Sequence, residues 1–355
     1  MTAASVLAPA LVLTACRASS DPSAAPTTRT TRALDPPTTA TAPPALCPLT
    51  GAPVPGGGAV PSRPALAVKV DNYSAARPQA GLGAADIVFE EPVEGGITRY
   101  AAVFQCQQAS LVGPVRSARN IDIGILGEFG QPLFAHVGGI APVLANVVAS
   151  PLVNLDLGSE PGVVHGVPGR VAPYDDYTST AALWALRPTD VTPPSPVFSY
   201  SAAPPAGGSP ATGLHIAFSS EASVSWAYDA AQDDWLRSYG TAPDLASDGS
   251  QQSATNVVVQ VVHVTYGPWA ENSSGSLEVQ ANLYQAASGP ALVLRNGQEI
   301  VGTWHRSSLG SPTQFVSGDG ATIPLAPGRT WVELVPSTVN VAVSPSGAPG
   351  STPPP

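Results

Sequence analysis

The spacing of apolar and polar positions divides the chain into two differently patterned bodies. In the first, Ala65–Val70 is a short apolar run closing on the polar pair Asp71-Asn72, which predicts a strand. Ile87–Val93 and Ile97–Gln105 are rich in β-formers and flank Gly95-Gly96, a hairpin signal. Ser117 can cap a helix over about 118–129, where Ile121, Ile125 and Phe129 recur at helical spacing. Pro132–Val137 predicts a buried strand ending at Gly138-Gly139, and Pro142–Ala149 a second helix. Strand, hairpin, helix, strand and helix in that order predict a mixed α/β sheet.

The second body carries almost no helical pattern. Leu214–Phe218, Val224–Tyr228, Asn256–Tyr266, Leu277–Tyr284, Ala291–Leu294, Glu299–Trp304 and Thr330–Val335 read as strands. Asn296-Gly297 is the strongest hairpin signal in the chain, and Asp319-Gly320 marks another turn. The expected fold class is therefore α+β, an N-terminal mixed α/β domain followed by an antiparallel β-rich C-terminal domain. Prolines cluster across 188–212. The expected organisation is a lipoprotein signal peptide over 1–16, a disordered Thr/Pro/Ala-rich stalk over 17–46, and an α/β domain over 47–190. A Pro-rich connector follows over 191–212, then a β domain over 213–340 and a disordered tail over 341–355.

The segment that changes this picture most is Leu13-Thr14-Ala15-Cys16, which closes an apolar stretch from Val6. Leu, two small residues and Cys form the bacterial lipobox, in which the Cys thiol takes a diacylglycerol and becomes the mature N-terminus. Residues 1–15 carry no Lys or Arg, so the usual positive n-region is missing. The expectation is a lipid anchor at Cys16 on the extracytoplasmic face of the cell membrane, with the bilayer as a partner. No apolar run reaches the roughly 18 residues needed to span a bilayer. Cys47 and Cys106 remain, and an oxidising compartment allows either one disulfide or two free thiols. A net charge of −10 argues against a nucleic-acid partner.

Long motifs in one order resemble the YerB-type lipoproteins, a bacterial family built from two domains of unknown function. They include Pro48-Leu49-Thr50-Gly51, Asp71-Asn72 with Arg77-Pro78-Gln79, Ala85-Asp86-Ile87-Val88, Glu94-Gly95-Gly96-Ile97-Thr98-Arg99 and Gly113-Pro114-Val115-Arg116-Ser117-Ala118-Arg119. Later matches are Val224-Ser225-Trp226, Ala254-Thr255-Asn256, Gly302-Thr303-Trp304-His305-Arg306 and Pro327-Gly328-Arg329-Thr330-Trp331. The resemblance implies a lipid-anchored two-domain envelope protein and no known reaction. In the family pattern Ala-Pro is followed by His-Asn and then a Tyr; here Ala172-Pro173 leads into Tyr174-Asp175-Asp176-Tyr177.

Candidate chemistry concentrates in the first body. Glu90, Glu91 and Glu94 invite a glycosidase reading. With a two-residue turn at Gly95-Gly96, however, Glu90 and Glu94 share a face about 13 Å apart at roughly 3.3 Å per residue, beyond the roughly 5–9.5 Å of acid/base pairs. Arg99 would lie between them, so an ion cluster of Glu90, Glu94 and Arg99 is the simpler expectation. Arg116 and Arg119 flank a helix start that favours anions, with Arg77 nearby; the alternative is pairing with the domain's own acids. Asp71 with Asn72, and His136, sit at strand C-termini, where α/β sheets gather ligands. The expected binding crevice is therefore Asp71, Asn72, Arg77, Arg116, Arg119, His136, Gly138 and Gly139. A hydrogen-bonded structural His136 stays open beside it. Trp226, Trp304 and Trp331 are core residues or a sugar-stacking face. No motif calls for a cofactor and no spacing for a metal. The expected function is a non-catalytic binding protein for a cell-wall glycan or peptide, an anionic ligand or an envelope protein. The alternative is a wall hydrolase using Asp71 and His136.

Overall fold

A computed structural model describes residues 43–160, 162–187 and 193–345. The expected signal peptide with Cys16, nearly all of the expected stalk and residues 346–355 lie outside them. The N-terminal half forms β1 (Leu66–Asp71), β2 (Ile87–Pro92), β3 (Thr98–Phe104), β4 (Leu133–His136) and β5 (Val153–Asp156). Its helices are short: α1 (Asn120–Leu126), α2 (Ala141–Ala149) and α3 (Thr180–Ala185). All six residues of β1 are buried, which is why this strand reads as a continuous apolar run rather than an alternating one.

The C-terminal half supplies β6 (Ser209–Ala217), β7 (Ser223–Asp229), β8 (Asp234–Tyr239), β9 (Ala242–Pro243), β10 (Ser253–Ala254) and β11 (Asn256–Val262). It continues with β12 (Val264–Ala270), β13 (Leu277–Ala281), β14 (Ala287–Arg295), β15 (Gln298–Arg306), β16 (Gln314–Ser317), β17 (Thr330–Pro336) and β18 (Val341–Pro345). The protein is thus mostly β-sheet with few helices.

Apart from the β12–β13 hairpin, the strands join in one sheet, in the order β10-β8-β7-β6-β15-β14-β11-β17-β2-β3-β1-β4-β5, with β9 on β8, β18 on β6 and β16 on β15 off this path. The joint is β17. It pairs in parallel with β11 on one side and with β2 on the other, so strands from both halves of the sequence share one hydrogen-bonded array. Each face of that array carries an apolar cluster drawn from both halves. One contains Phe89, Ile121 and Phe134 with Val258, Trp304 and Leu334; the other contains Val68, Tyr100 and Leu155 with Trp226, Trp235 and Trp331. Trp226, Trp304 and Trp331 are buried, so they are core residues and no sugar-stacking face.

Several sequence expectations need correcting. The C-terminal half is not wholly antiparallel, because the β11–β17 pairing is parallel and was invisible in the local pattern. The segment expected as a connector is partly core: Val197 and Phe198 are buried, and Tyr200 bridges Leu325. Apolar side chains between the prolines give it something to bury. The first five residues of the expected tail form β18, which pairs with β6. The Asn296-Gly297 turn forms as read, with φ of 49° and 65° closing Arg295 onto Gln298. Cys47 and Cys106 are bridged, with Cα atoms 5.9 Å apart.

Candidate functional site

β1, β4 and β5 run parallel and end at Asp71, His136 and Asp156, so three polar side chains gather along one edge of the sheet. Gly113–Arg119 passes beside them. Asp71 N–H donates to Pro114 O (3.0 Å), Arg116 N–H to Lys69 O (2.9 Å), and Val137 N–H to Arg116 O (3.1 Å). Gly138 is the hub. Its φ of +63° suits glycine, its carbonyl accepts Ala118 N–H (3.0 Å), and its own N–H donates to Asp156 Oδ1 (3.0 Å).

Arg116 lies on this edge with its side chain 26% exposed, and its Nε stands 2.7 Å from Asp71 Oδ2. Asp71 itself is almost fully buried and also accepts Tyr73 N–H (2.9 Å). The Arg116 guanidinium lies 5.9 Å from the Tyr174 ring, and Tyr174 stacks on Tyr73 with centroids 6.1 Å apart. Tyr73 is 43% exposed, which leaves an aromatic pair at the surface beside a charged pair. Gly139 follows at the approach to α2.

His136 does not join this chemistry. It is buried, with Nδ1 3.0 Å from Gly138 O and Nε2 2.7 Å from Asn154 Oδ1. Both ring nitrogens are occupied and Asp71 is not among their partners, so the structural reading of His136 holds and no Asp–His acid/base pair is formed. Arg77 is likewise committed to the protein. It donates to Asn72 Oδ1 (3.2 Å) and Asn72 O (3.0 Å) and stacks 3.5 Å over the Tyr239 ring.

The expected ion cluster divides between the two faces of the sheet. β2 and β3 are joined across Val93–Ile97 rather than by two residues, so Glu90 faces Tyr100 and Glu91 faces Arg99. That is a one-residue register difference from the expectation, and it sends Glu90 to the opposite face. There Arg237 bridges Glu90 (2.6 Å) and Asp244, while Asn72 donates to Glu90 Oε1 (3.1 Å) and Thr98 Oγ1 (2.7 Å). Glu333 on β17 is the parallel partner of Glu90 and accepts Trp226 Nε1–H (2.8 Å). Burial, then the charge of Glu90, pushes the Glu333 carboxyl well above its ordinary range.

On the other face, Glu94 meets Arg99 at 3.6 Å and receives Arg119 through Nε (2.8 Å) and Nη2. Arg119 also pairs with Glu271 (3.3 Å), which belongs to the C-terminal half. Arg119 is therefore a buried ion-pair partner and no exposed anion clamp. Desolvation alone would raise the Glu94 carboxyl, but the Arg119 hydrogen bond and the charges of Arg99 and Arg119 outweigh it and bring it down to about 2.

Of the expected crevice residues, the structure brings Asp71, Arg116, Gly138 and Gly139 to one edge. It puts Asn72, Arg77, Arg119 and His136 into internal networks. Sequence reasoning missed Tyr73 and Asp156 and noted Tyr174 only as a departure. A strand-like run ending in Asp156, as β1 ends in Asp71, was the available signal. Among the described residues no group of three or more His, Cys, Asp or Glu is placed to hold a metal, and no helix is long and apolar enough to cross a membrane.

Comparison with known proteins fits the motif reading. The description "Protein of unknown function (DUF3048) N-terminal domain" matches residues 49–191, and the corresponding C-terminal domain matches 214–332. The chain belongs to this family. It is 28% identical over 300 residues to "Putative lipoprotein YerB" of Bacillus subtilis (strain 168), covering 80% of this chain and 85% of that protein. A crystal structure of YerB protein from Bacillus subtilis has the same fold, with a TM-score of 0.70 at 23% identity, over 84% of this chain and 99% of that one.

Proposed function

We propose that this family member is an extracytoplasmic, lipid-anchored envelope protein that holds a cell-wall glycan or peptide at the edge formed by Asp71, Arg116, Tyr73, Tyr174 and Gly138. The lipobox at Cys16 and the name of the YerB relative support the anchor. The observation that carries the site is the stack of exposed Tyr73 on half-buried Tyr174 beside a partly exposed Arg116, at the C-terminal ends of three parallel strands. Aromatic faces pack against the apolar face of a sugar or a peptide side chain, and a guanidinium donates to a carboxylate. Arg116 is held by Asp71, so its orientation is set before a ligand arrives. Tyr174 is also where this chain departs from the family pattern, which makes it the residue that would set this member's own preference. The alternative of a wall hydrolase loses its Asp–His pair, so binding is the better-supported class.

The test is a pull-down of the purified protein against isolated cell wall, lipid vesicles and solubilised envelope proteins in parallel. Retention on wall, reduced by Tyr73→Ala with Tyr174→Ala, supports the reading. Retention on vesicles or envelope proteins alone overturns the wall assignment.

A further inference from the structure

Lys69 is the chain's one lysine, and it lies in the middle of the buried strand β1. Its side chain has no solvent exposure, and neither do those of Glu91 and Asp122, the two carboxylates in contact with its Nζ. Its register partner on β3 is Ala101, and Phe89 on β2 lies one strand further out. One fully buried amine between two fully buried carboxylates is an expensive way to hold a strand, since each buried ion carries a large desolvation cost. A second use for the arrangement follows from its geometry.

The two oxygens of Asp122 have different partners. Oδ1 faces Lys69 Nζ at 2.8 Å, while Oδ2 accepts the backbone N–H of Arg119 at 2.7 Å. Glu91 Oε1 contacts the same Nζ from β2, and Glu91 Oε2 is buried with no hydrogen-bond partner. An amine thus stands against a carboxyl group that has one oxygen held by a backbone donor, with a second carboxyl group positioned to move protons. We propose that Lys69 and Asp122 condense to an intramolecular isopeptide bond, with Glu91 as the proton-transferring group.

The step balances without any co-reactant. An ammonium and a carboxylate become an amide and one water. Nζ gives a proton to Glu91 and attacks Cγ of Asp122. The negative charge that develops on Oδ2 is met by Arg119 N–H. Glu91 passes its proton to Oδ1, the Cγ–Oδ1 bond breaks, and Oδ1 leaves as water with a second proton from the nitrogen. Oδ2 remains as the amide carbonyl, still bonded to Arg119 N–H.

Two further features favour the condensation. Desolvation first, and then the nearby charges of Arg99 and Arg119, work against the charge on Lys69; its contacts with Asp122 act the other way, and the net result is a pKa of about 8, which makes free amine available. Condensation also removes both members of a fully buried ion pair, Lys69 and Asp122, and with them the desolvation cost each carries. The product ties β1 to α1 across 53 residues of sequence, a covalent clasp additional to the Cys47–Cys106 bridge.

Tryptic digestion of the purified full chain with tandem mass spectrometry decides it. The expected result is no cleavage after Lys69 and a branched peptide joining the Lys69 and Asp122 segments, one water lighter than their sum. Glu91→Gln should lose the branched peptide while keeping the parent's circular dichroism. Efficient cleavage after Lys69, with both linear peptides recovered, overturns the bond. A loop within one peptide from Lys69 to Glu91, with the Asp122 peptide recovered linear, overturns the assigned roles, and an undiminished branch in Glu91→Gln overturns the proton-transfer role. If Glu91→Gln does not fold, the parent digest still decides whether the bond exists.

Discussion

Replacing Glu94 by Gln should destabilise the protein in a way that depends on pH with a defined sign. Glu94 is buried against Arg119 and Arg99, and its carboxyl lies at about 2 in the folded chain against an ordinary 4.5. At about 1.4 kcal/mol for each tenfold change in proton affinity, that difference contributes roughly 3 kcal/mol. Because the folded value is depressed, the contribution is fully present above pH 4.5 and is lost as pH falls through 4.5 toward 2. Gln keeps the shape but leaves two buried guanidinium groups short of a counter-charge, a loss of about 3–5 kcal/mol for a broken buried pair. Urea unfolding followed by tryptophan fluorescence at several pH values measures the gap between parent and Glu94→Gln. The gap should be full at pH 7 and shrink below pH 4.5. A gap of the same size at pH 3 and pH 7 would refute the charge-pairing argument and leave only packing, and no gap at pH 7 would refute the burial of the pair.

Other outcomes follow from single features. Cys47→Ala with Cys106→Ala removes a bridge spanning 59 residues of sequence; chain entropy puts the loss at about 4 kcal/mol, which thermal melting of oxidised parent and variant would show. Gly297→Ala should lower the melting temperature by an amount equivalent to roughly 1–3 kcal/mol, since φ there is +65° and a Cβ would stand 2.6 Å from the Tyr228 ring. Cys16→Ser should release the protein from membranes or leave an unprocessed precursor, and membrane fractionation showing mature protein retained as in the parent would remove the anchor.

The parts of the fold that were legible in the sequence are those set by local chemistry. Asn296-Gly297 demands a turn wherever it lies, and β1 is apolar but for Lys69 and its terminal Asp71 because both of its faces are covered. What was not legible depends on partners far along the chain. Arg237 on β8 is paired by Glu90, 147 residues away, a partner that nothing local to β8 announces. Arg119 reads as an exposed anion donor until Glu94 and Glu271 bury it, so Arg116→Ala with Arg119→Ala is no mild surface change. The β2–β3 register could not be read because a two-residue turn centred between Gly95 and Gly96 and a longer turn centred on Gly95 fit the same glycines, yet they differ by one residue of register, which exchanges faces. Lys69 was a signal left unused: a charge inside an otherwise apolar strand requires buried partners, and Glu91 and Asp122 are those partners.

The most direct test of the proposed binding edge is titration calorimetry of the purified protein with soluble fragments of isolated cell wall, comparing the parent with Tyr73→Ala plus Tyr174→Ala and, separately, with Arg116→Ala. Arg116→Ala also leaves buried Asp71 without its partner, so circular dichroism must show each variant folded. The account expects saturable binding by the parent, weakened at least tenfold by the tyrosine pair, a loss of about 1.4 kcal/mol. Folded variants that bind wall fragments as tightly as the parent, or a parent that binds none, would contradict it.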